Sequence, residues 1–315
     1  MNLINEKALD GYLKNFTFKK MLFVPAVLLL LSFLILAYTM ITTPNHTPVE
    51  LGMEFQGGTA FIFDSVKSPE QLRSEFQGYP IVQAREYGGG ERKLLQFGPM
   101  REIQMSEVTK MINSDPGYSN VEIRQMGEVV SKSLQGQALY AILLSFLGMA
   151  IVVFIIFRTF VPSIAVVISA FADIAFAAAM MDVFGIVLSL GTVAALLMLI
   201  GYSVDTDILL TTRLLKRKGE VNDKIKEAMK TGLTMTTTTL AALVMLFLVS
   251  SGSYLISSFT RIDIIRDISI VLIFGLIADI INTWMTNVGI LKWYIEKGTS
   301  VEKRIEKPKK KRQKA

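Results

Sequence analysis

The residues able to do chemistry in this chain are four aspartates set in stretches otherwise free of charge. Asp173 lies within 161–181, Asp279 within 268–291, and Asp205 and Asp207 close the uncharged run 183–204. A carboxylate inside a membrane span is costly to keep ionised, so such a residue is a candidate for binding a proton or an ion. Asp205 and Asp207 are two apart, about 200° around a helix, and cannot share a face. Gly201 sits four residues before Asp205 on the same stripe, with Gly191 and Ala194 earlier. Small residues permit close helix approach or a hydrated gap, so Asp205 is expected to face the bundle centre and Asp207 to face away. At a rise of about 1.5 Å per residue, Asp205 lies about 12 Å and Asp207 about 9 Å inside the boundary marked by Arg213, and Asp279 about 20 Å from Lys292. Lys230 precedes a hydroxyl cluster, Thr231, Thr234 and Thr236 to Thr239. It reads as a counter-ion for Asp205 or, more plainly, as a lysine snorkelling to the interface. The hydroxyls suit back-bonding to helix carbonyls or lining a hydrated path. Asp182, Asp263 and Asp267 stand near helix ends, where water suffices.

These side chains need spans to carry them. The chain has 315 residues, 51% of them hydrophobic and 19% charged, with a mean hydropathy of +0.44. That balance excludes a disordered chain and argues against an extended nucleic-acid surface. Zero cysteines exclude a disulfide framework, a thiolate metal site and a cysteine nucleophile, and one histidine, His46, excludes a multi-histidine centre. No metal and no cofactor are expected. A bilayer core needs about 20 apolar helical residues. Six runs qualify: 21–41, 133–157, 161–181, 183–204, 231–260 and 268–291. The first lacks a small-x-small site at its end and reads as a retained helix rather than a cleaved signal.

Lys and Arg set the orientation. Residues 1–20 carry four, 213–230 seven and 292–315 ten, all on one side of a six-span chain. The segment 41–135 carries nine against twelve Asp and Glu, and falls on the other side. Both termini are therefore expected in the cytoplasm of a multi-pass cell-membrane protein. The expected units are a cytoplasmic segment 1–20, a transmembrane helix 21–41, an extracytoplasmic domain 42–132, five further helices in 133–291 and a basic tail 292–315. The tail, ending in Lys309 to Arg312, suits RNA or a ribosome, but a flank attracted to anionic lipid is the simpler reading, with no nucleic acid expected.

Within the external segment, 49–55 alternates with period two and continues past Gly57-Gly58 into 59–63, which predicts one long strand bent at the glycines. Ser68-Pro69 opens a helix to about Phe76. The runs 81–87 and 92–97 flank Gly88 to Gly90 as a hairpin, Ser106 caps a helix over 107–113 that Asp115-Pro116-Gly117 stops, and 120–125 is a last strand. The order βαββαβ predicts a ferredoxin-like domain. The fold class expected is a polytopic α-helical membrane protein of six transmembrane helices with one extracytoplasmic α+β domain.

Several stretches resemble the SecD/SecF family of protein-export membrane proteins, on its SecF side. Gly52-Met53-Glu54-Phe55-Gln56-Gly57-Gly58-Thr59 is similar to the family's G-I-D-F-T-G-G-T, and 127–138 resembles its G-x-x-V-x-x-x-L. Asp173 matches the aspartate of an H-D pair whose histidine is Ala172 here. Ala194-Ala195-Leu196-Leu197, then Ile200-Gly201-Tyr202-Ser203, is similar to A-A-L-L-x-x-I-G-Y-S. Lys230-Thr231 falls where bacterial members have R-T. Val204-Asp205-Thr206-Asp207 replaces the bacterial I-N-D-T and is nearer the V-D-A-N of SecD, which suggests an archaeal type.

The resemblance implies an accessory, non-enzymatic role in the Sec pathway. Its implied partners are SecD, the Sec translocon channel and a translocating polypeptide. It also implies coupling to the proton motive force and kinship with resistance-nodulation-division transporters. The alternative is a half-size exporter of small molecules or lipids from that superfamily. An intramembrane aspartyl protease needs Y-D and G-x-G-D contexts, which neither Ser203-Val204-Asp205 nor Ile277-Ala278-Asp279 supplies.

Overall fold

The structure, a computed structural model, describes residues 11, 18–43, 46–87, 92–251 and 263–297. Lys7, Lys14, the Gly88 to Gly90 turn, Arg261 and the tail from 298 lie outside the described residues. The chain runs α1 (Phe18–Thr42), α2 (Met53–Gln56), β1 (Gly58–Asp64), α3 (Pro69–Glu75), β2 (Ile81–Glu86), β3 (Arg92–Phe97), α4 (Glu102–Ser114), β4 (Ser119–Met126), α5 (Glu128–Phe157), α6 (Phe160–Val183), α7 (Leu190–Lys216), α8 (Val221–Ser250) and α9 (Asp263–Ile281). A π turn (Asn282–Asn287) follows α9, and helix resumes over 288–297.

Helices α1, α5, α6, α7 and α8 are long and apolar enough to cross a membrane. Helix α9 is equally apolar along its middle but carries Asp263, Arg266, Asp267 and Asp279. Three boundaries move from those the charge pattern predicts. The fourth helix starts at Leu190, not near 183, because Gly185 turns with φ +65° and Ser189 caps the new helix, its hydroxyl accepting from the Thr192 amide. It then runs on to Lys216, carrying Asp205 and Asp207 in mid-helix. Helix α8 begins ten residues early, since its charged first three turns lie along the bundle's end with Ile225, Ala228 and Met229 buried.

The bundle core is built from separate apolar clusters. Ala177, Ala178, Leu196, Leu199, Val271 and Leu276 fill one end. Met21, Leu210, Leu214, Trp284 and Val288 fill the other. Close approach depends on glycine: a Cβ at Gly275 would sit 2.2 Å from Leu199 Cδ2, and one at Gly232 2.5 Å from the Trp284 ring.

Between α1 and α5 stands a four-stranded antiparallel sheet of order β2-β3-β1-β4. Helices α3 and α4 cover one face, burying Phe61, Phe63, Phe76, Leu95, Phe97 and Ile112. Helix α3 has the capping box its Ser68-Pro69-Glu70-Gln71 sequence encodes. Helix α4 starts at Glu102, so Ser106 is interior rather than a cap; Gln104 Oε1 instead accepts the Arg101 amide.

The long strand expected over 49–63 is broken. Residues 53–56 form one helical turn, and Gly57 and Gly58, at φ +74° and +110°, reverse the path into β1. The segment before the turn pairs with the α6–α7 connection. Gly52 N donates to Leu188 O and Leu188 N to Glu50 O, both at 2.7 Å, making a parallel bridge between Leu51 and Leu188.

Candidate functional site: a buried carboxylate cluster

Three of the four intramembrane aspartates meet inside the bundle, one from each of α6, α7 and α9. Asp173, Asp207 and Asp279 each have no exposed surface. Helix α7 turns Ser203, Asp207 and Thr211, spaced by four, to its buried side. The π turn after α9 is wider than α-helix, and such turns recur at functional sites. Here it directs Asn282 toward α6 and Thr283 and Asn287 toward α7.

Asp173 accepts from Ser203 Oγ and from Asn282 Nδ2, each at 2.6 Å. Asp207 Oδ1 accepts from Asn287 Nδ2 at 2.8 Å and lies 2.8 Å from Thr283 Oγ1. The same Thr283 Oγ1 lies 3.0 Å from Asp279 Oδ1. A hydroxyl has one proton to give. Thr283 can donate fully to one carboxylate; the second short contact is completed when the facing carboxyl carries a proton and donates back. Asp207 Oδ2, Asp279 Oδ2 and Asn287 Oδ1 are buried with no partner among the described residues. The partners of the three carboxylates are hydroxyls and amides, none cationic. Among the described residues no cluster of His, Cys, Asp and Glu is arranged to hold a metal ion.

The inward assignment of the Asp205–Asp207 pair is reversed. The two do take opposite faces, but Asp207 is buried and Asp205 is exposed. A Cβ at Gly201 would meet nothing within 4 Å. The Gly201 stripe therefore faces out of the bundle, with Tyr202 40% exposed beside it. Asp279 lies level with Asp207, since both reach Thr283 Oγ1. Lys230 is half-buried on α8. Arg213 ties α7 to α8, donating to Glu227 O and to Thr231 Oγ1, and Lys224 of α8 donates back to Leu214 O. Of the threonines, Thr231, Thr234 and Thr236 bond back to carbonyls four residues earlier.

The motif residues divide by role. Ser203 enters the cluster. Gly52, Gly57 and Gly58 shape the turn below the sheet, and Phe55, 1% exposed, plugs it, its carbonyl accepting from Gln135 of α5. Asn282, Thr283 and Asn287 escaped the sequence reading; their signal was spacing, since Asp279, Thr283 and Asn287 recur every four residues.

A helical bundle with carboxylates buried at its centre and one α/β module between its first two apolar helices defines an integral membrane protein. The family described as protein export membrane protein SecD/SecF, C-terminal, matches residues 106–297. The protein-export membrane protein SecF of Methanolacinia petrolearia is 48% identical over 281 residues, 89% of this chain and 95% of that relative. SecF of Thermococcus gammatolerans is 40% identical over 288 residues, 88% and 85% of the two chains. The crystal structure of SecDF from Thermus thermophilus, a translocon-associated membrane protein, superposes with a TM-score of 0.66 at 19% identity. It covers 88% of this chain, which spans 38% of that one. The chain belongs to the SecD/SecF family of protein-export membrane proteins, on its SecF side.

Proposed function

We propose that the chain is an accessory subunit of the Sec protein-export machinery, acting with a SecD-type partner to assist a polypeptide across or into the cell membrane. The proton-handling site is the Asp173–Asp207–Asp279 cluster. One observation carries this reading: a single threonine hydroxyl bridges two fully buried carboxylates, an arrangement that a shared proton completes. A bundle that gains or loses that proton gains or loses an interhelical bond, which is what coupling to the proton motive force requires.

In this reading α9 and its continuation form the sixth span, the external module is ferredoxin-like, and both termini are cytoplasmic. The subunit is cofactor-free and non-enzymatic. Asp205 belongs to the partner side. It lies exposed on a membrane helix with Gly201 and Tyr202, and a carboxylate on a lipid-facing surface is costly. A SecD-type helix covering that stripe removes the cost, and the apolar windows of α1, α5 and α8, only 17%, 11% and 17% buried, leave further surface for lipid, for the partner or for the translocon channel.

The test is secretion of a reporter with and without a membrane potential. Asp207→Asn should leave basal secretion intact and remove the increment that the potential adds. If Asp207→Asn and Asp279→Asn both respond to the potential like the parent, the cluster is no proton site. Normal secretion in a deletion strain that becomes hypersensitive to toxic small molecules would favour the half-size exporter instead.

A further inference from the structure

A cavity of about 660 Å³ lies where the sheet meets the membrane bundle, inside the range of about 300–1,000 Å³ that houses ligands. Four glutamines converge on it: Gln56 of the α2 turn, Gln83 and Gln96 of β2 and β3, and Gln135 of α5, with Ser131 one turn before the last. The register pairs Gln83 and Ala60 with Gln96, while their neighbours Ala84 and Phe61 pair with Leu95 in the domain core. Gln83 and Gln96 therefore belong to the sheet face that α3 and α4 leave open. Gln96 and Ser131 are 4% and 1% exposed. Gln96 Nε2, Ser131 Oγ and Gln56 Oε1 are buried with no hydrogen-bond partner among the described residues. Native proteins seldom leave such groups unsatisfied.

The chemistry of these groups narrows the ligand. One is a donor, one an acceptor and one both. The charges on the wall, Arg73 and Lys132 against Glu50 and Glu128, cancel, and Lys132 already bonds Glu128 at 2.7 Å. What is left calls for an uncharged ligand. The three unpaired atoms belong to three separate elements, so the ligand must offer donors and acceptors in several directions at once. A ring bearing several hydroxyls does so, since each hydroxyl both donates and accepts. Ile81, Val82 and Val187 on the same wall suit its C–H face.

The position of the cavity supplies the rest of the ligand. Thr43, one residue past α1, and Lys132, one residue before the uncharged run 133–157 of α5, both line it. The cavity therefore lies at the level where apolar helix gives way to polar chain, which is the depth of lipid headgroups. The apolar windows of α1 and α5 are only 17% and 11% buried. Phe171 of α6, 46% exposed, meets Phe33 of α1 and Phe146 of α5 with ring centroids 6.1 and 6.2 Å apart. Along each helix these rings lie about ten residues, roughly 15 Å, from the cavity, the depth of one leaflet's chains.

We propose that this cavity holds the uncharged, polyhydroxylated headgroup of a membrane lipid, a glycosyl headgroup, whose chains lie along α1 and α5. The headgroup bonds the sheet through Gln96, the α2 turn through Gln56 and α5 through Ser131 at once, and so braces the module against the bundle.

The chain has no cysteine, so Val82→Cys places a unique thiol on the cavity wall of the full-length protein in lipid nanodiscs. The discs are made of phosphatidylcholine alone, or with a digalactosyl diacylglycerol, or with phosphatidylglycerol. The digalactosyl lipid should slow maleimide labelling of the introduced thiol about tenfold at saturation, and phosphatidylglycerol should not. A thiol placed by Ile103→Cys, on the exposed side of α4, should label at an unchanged rate in all three. Ser131→Ala and, separately, Gln96→Leu should raise the half-protecting fraction of the glycolipid about tenfold, since each leaves a sugar hydroxyl unpaired. Equal labelling with and without the glycolipid, equal protection by phosphatidylglycerol, or an unchanged half-protecting fraction in both variants would overturn the proposal. Protection by soluble methyl galactoside as strong as that by the lipid would assign the cavity to a free sugar and overturn the lipid assignment.

Discussion

Thr283 shows how a single side chain sets what its neighbours must do. Replacing it with valine keeps the shape and removes the bridge, so Asp207 and Asp279 lose their common contact; the potential-dependent increment in secretion should fall with little change in the level of folded protein. Asp173 is a different case. Its two oxygens satisfy Ser203 and Asn282, and Asp173→Ala would leave both buried groups unpaired at about 1–3 kcal/mol each. Less protein should be recovered from the membrane, and its melting temperature in detergent should drop, whereas Asp205→Asn should leave both unchanged in the isolated chain. The sequence made the four carboxylates conspicuous and showed that Asp205 and Asp207 face apart. Which one faces in was not legible from Gly201, because a small residue serves an outer contact as well as an inner one. The polar residues four apart, Ser203, Asp207 and Thr211, were the better guide to the buried side.

Among the elements, the one-turn α2 and the strand after it depend on backbone geometry rather than pattern. The alternation over 49–55 is real, and Leu51 pairs with Leu188 as a strand would, but the helical turn 53–56 and the φ of +74° at Gly57 end the extended path. Gly58 has φ +110° and an added Cβ would lie 2.1 Å from Phe97 O. Gly58→Ala should therefore cost well over about 1 kcal/mol, seen as a lowered denaturation midpoint.

The start of α3 and the turn after α4 are joined by Lys67, which hydrogen-bonds Glu75, Asp115 and Tyr118 within 3.1 Å. Burial works to lower the Lys67 pKa, but the bonds to Tyr118, Glu75 and Asp115 outweigh it and raise it above the ordinary lysine value. The Gly117 amide, and then Lys67, hold Asp115 below the ordinary carboxylate value. Burial pushes Tyr118 up to about 12. The signs follow from linkage. The Asp115 contribution is present above its ordinary value of 3.8 and is lost as pH falls through the lower folded value. Those of Lys67 and Tyr118 are present below 10.5 and 10.0 and are lost as pH rises through their raised values. In the module expressed alone, as residues 48–128, melting temperature should be flat through neutrality and fall on both sides, and Lys67→Met should make the acid limb shallower.

For the whole molecule, the α/β module between α1 and α5 has its own aromatic core. Residues 48–128 expressed alone should melt cooperatively; a broad transition would show that the bundle is needed to hold it. Apolar runs and charge bias made the helices readable from sequence, and turn chemistry made α3 readable. The helix ends moved because caps and glycines, not hydropathy, decide them.

The parallel bridge between Leu51 and Leu188 gives the molecule a linkage in the engineer's sense. Helix α7 begins two residues after Leu188, so the helix that carries Asp207 is pinned at its N-terminal end to the base of the α/β module by two short bonds in opposite directions, which resist shear better than either would alone. A tilt of α7 that follows protonation would reach the module at its base, as torque on a crank, without waiting for α1 or α5 to bend. Leu188→Pro deletes one bond by removing its amide, and should leave proton-dependent changes at α7 intact while the module stops following them. Spin-label distances between module and bundle, measured with and without the substitution, would show whether that stroke is transmitted or lost.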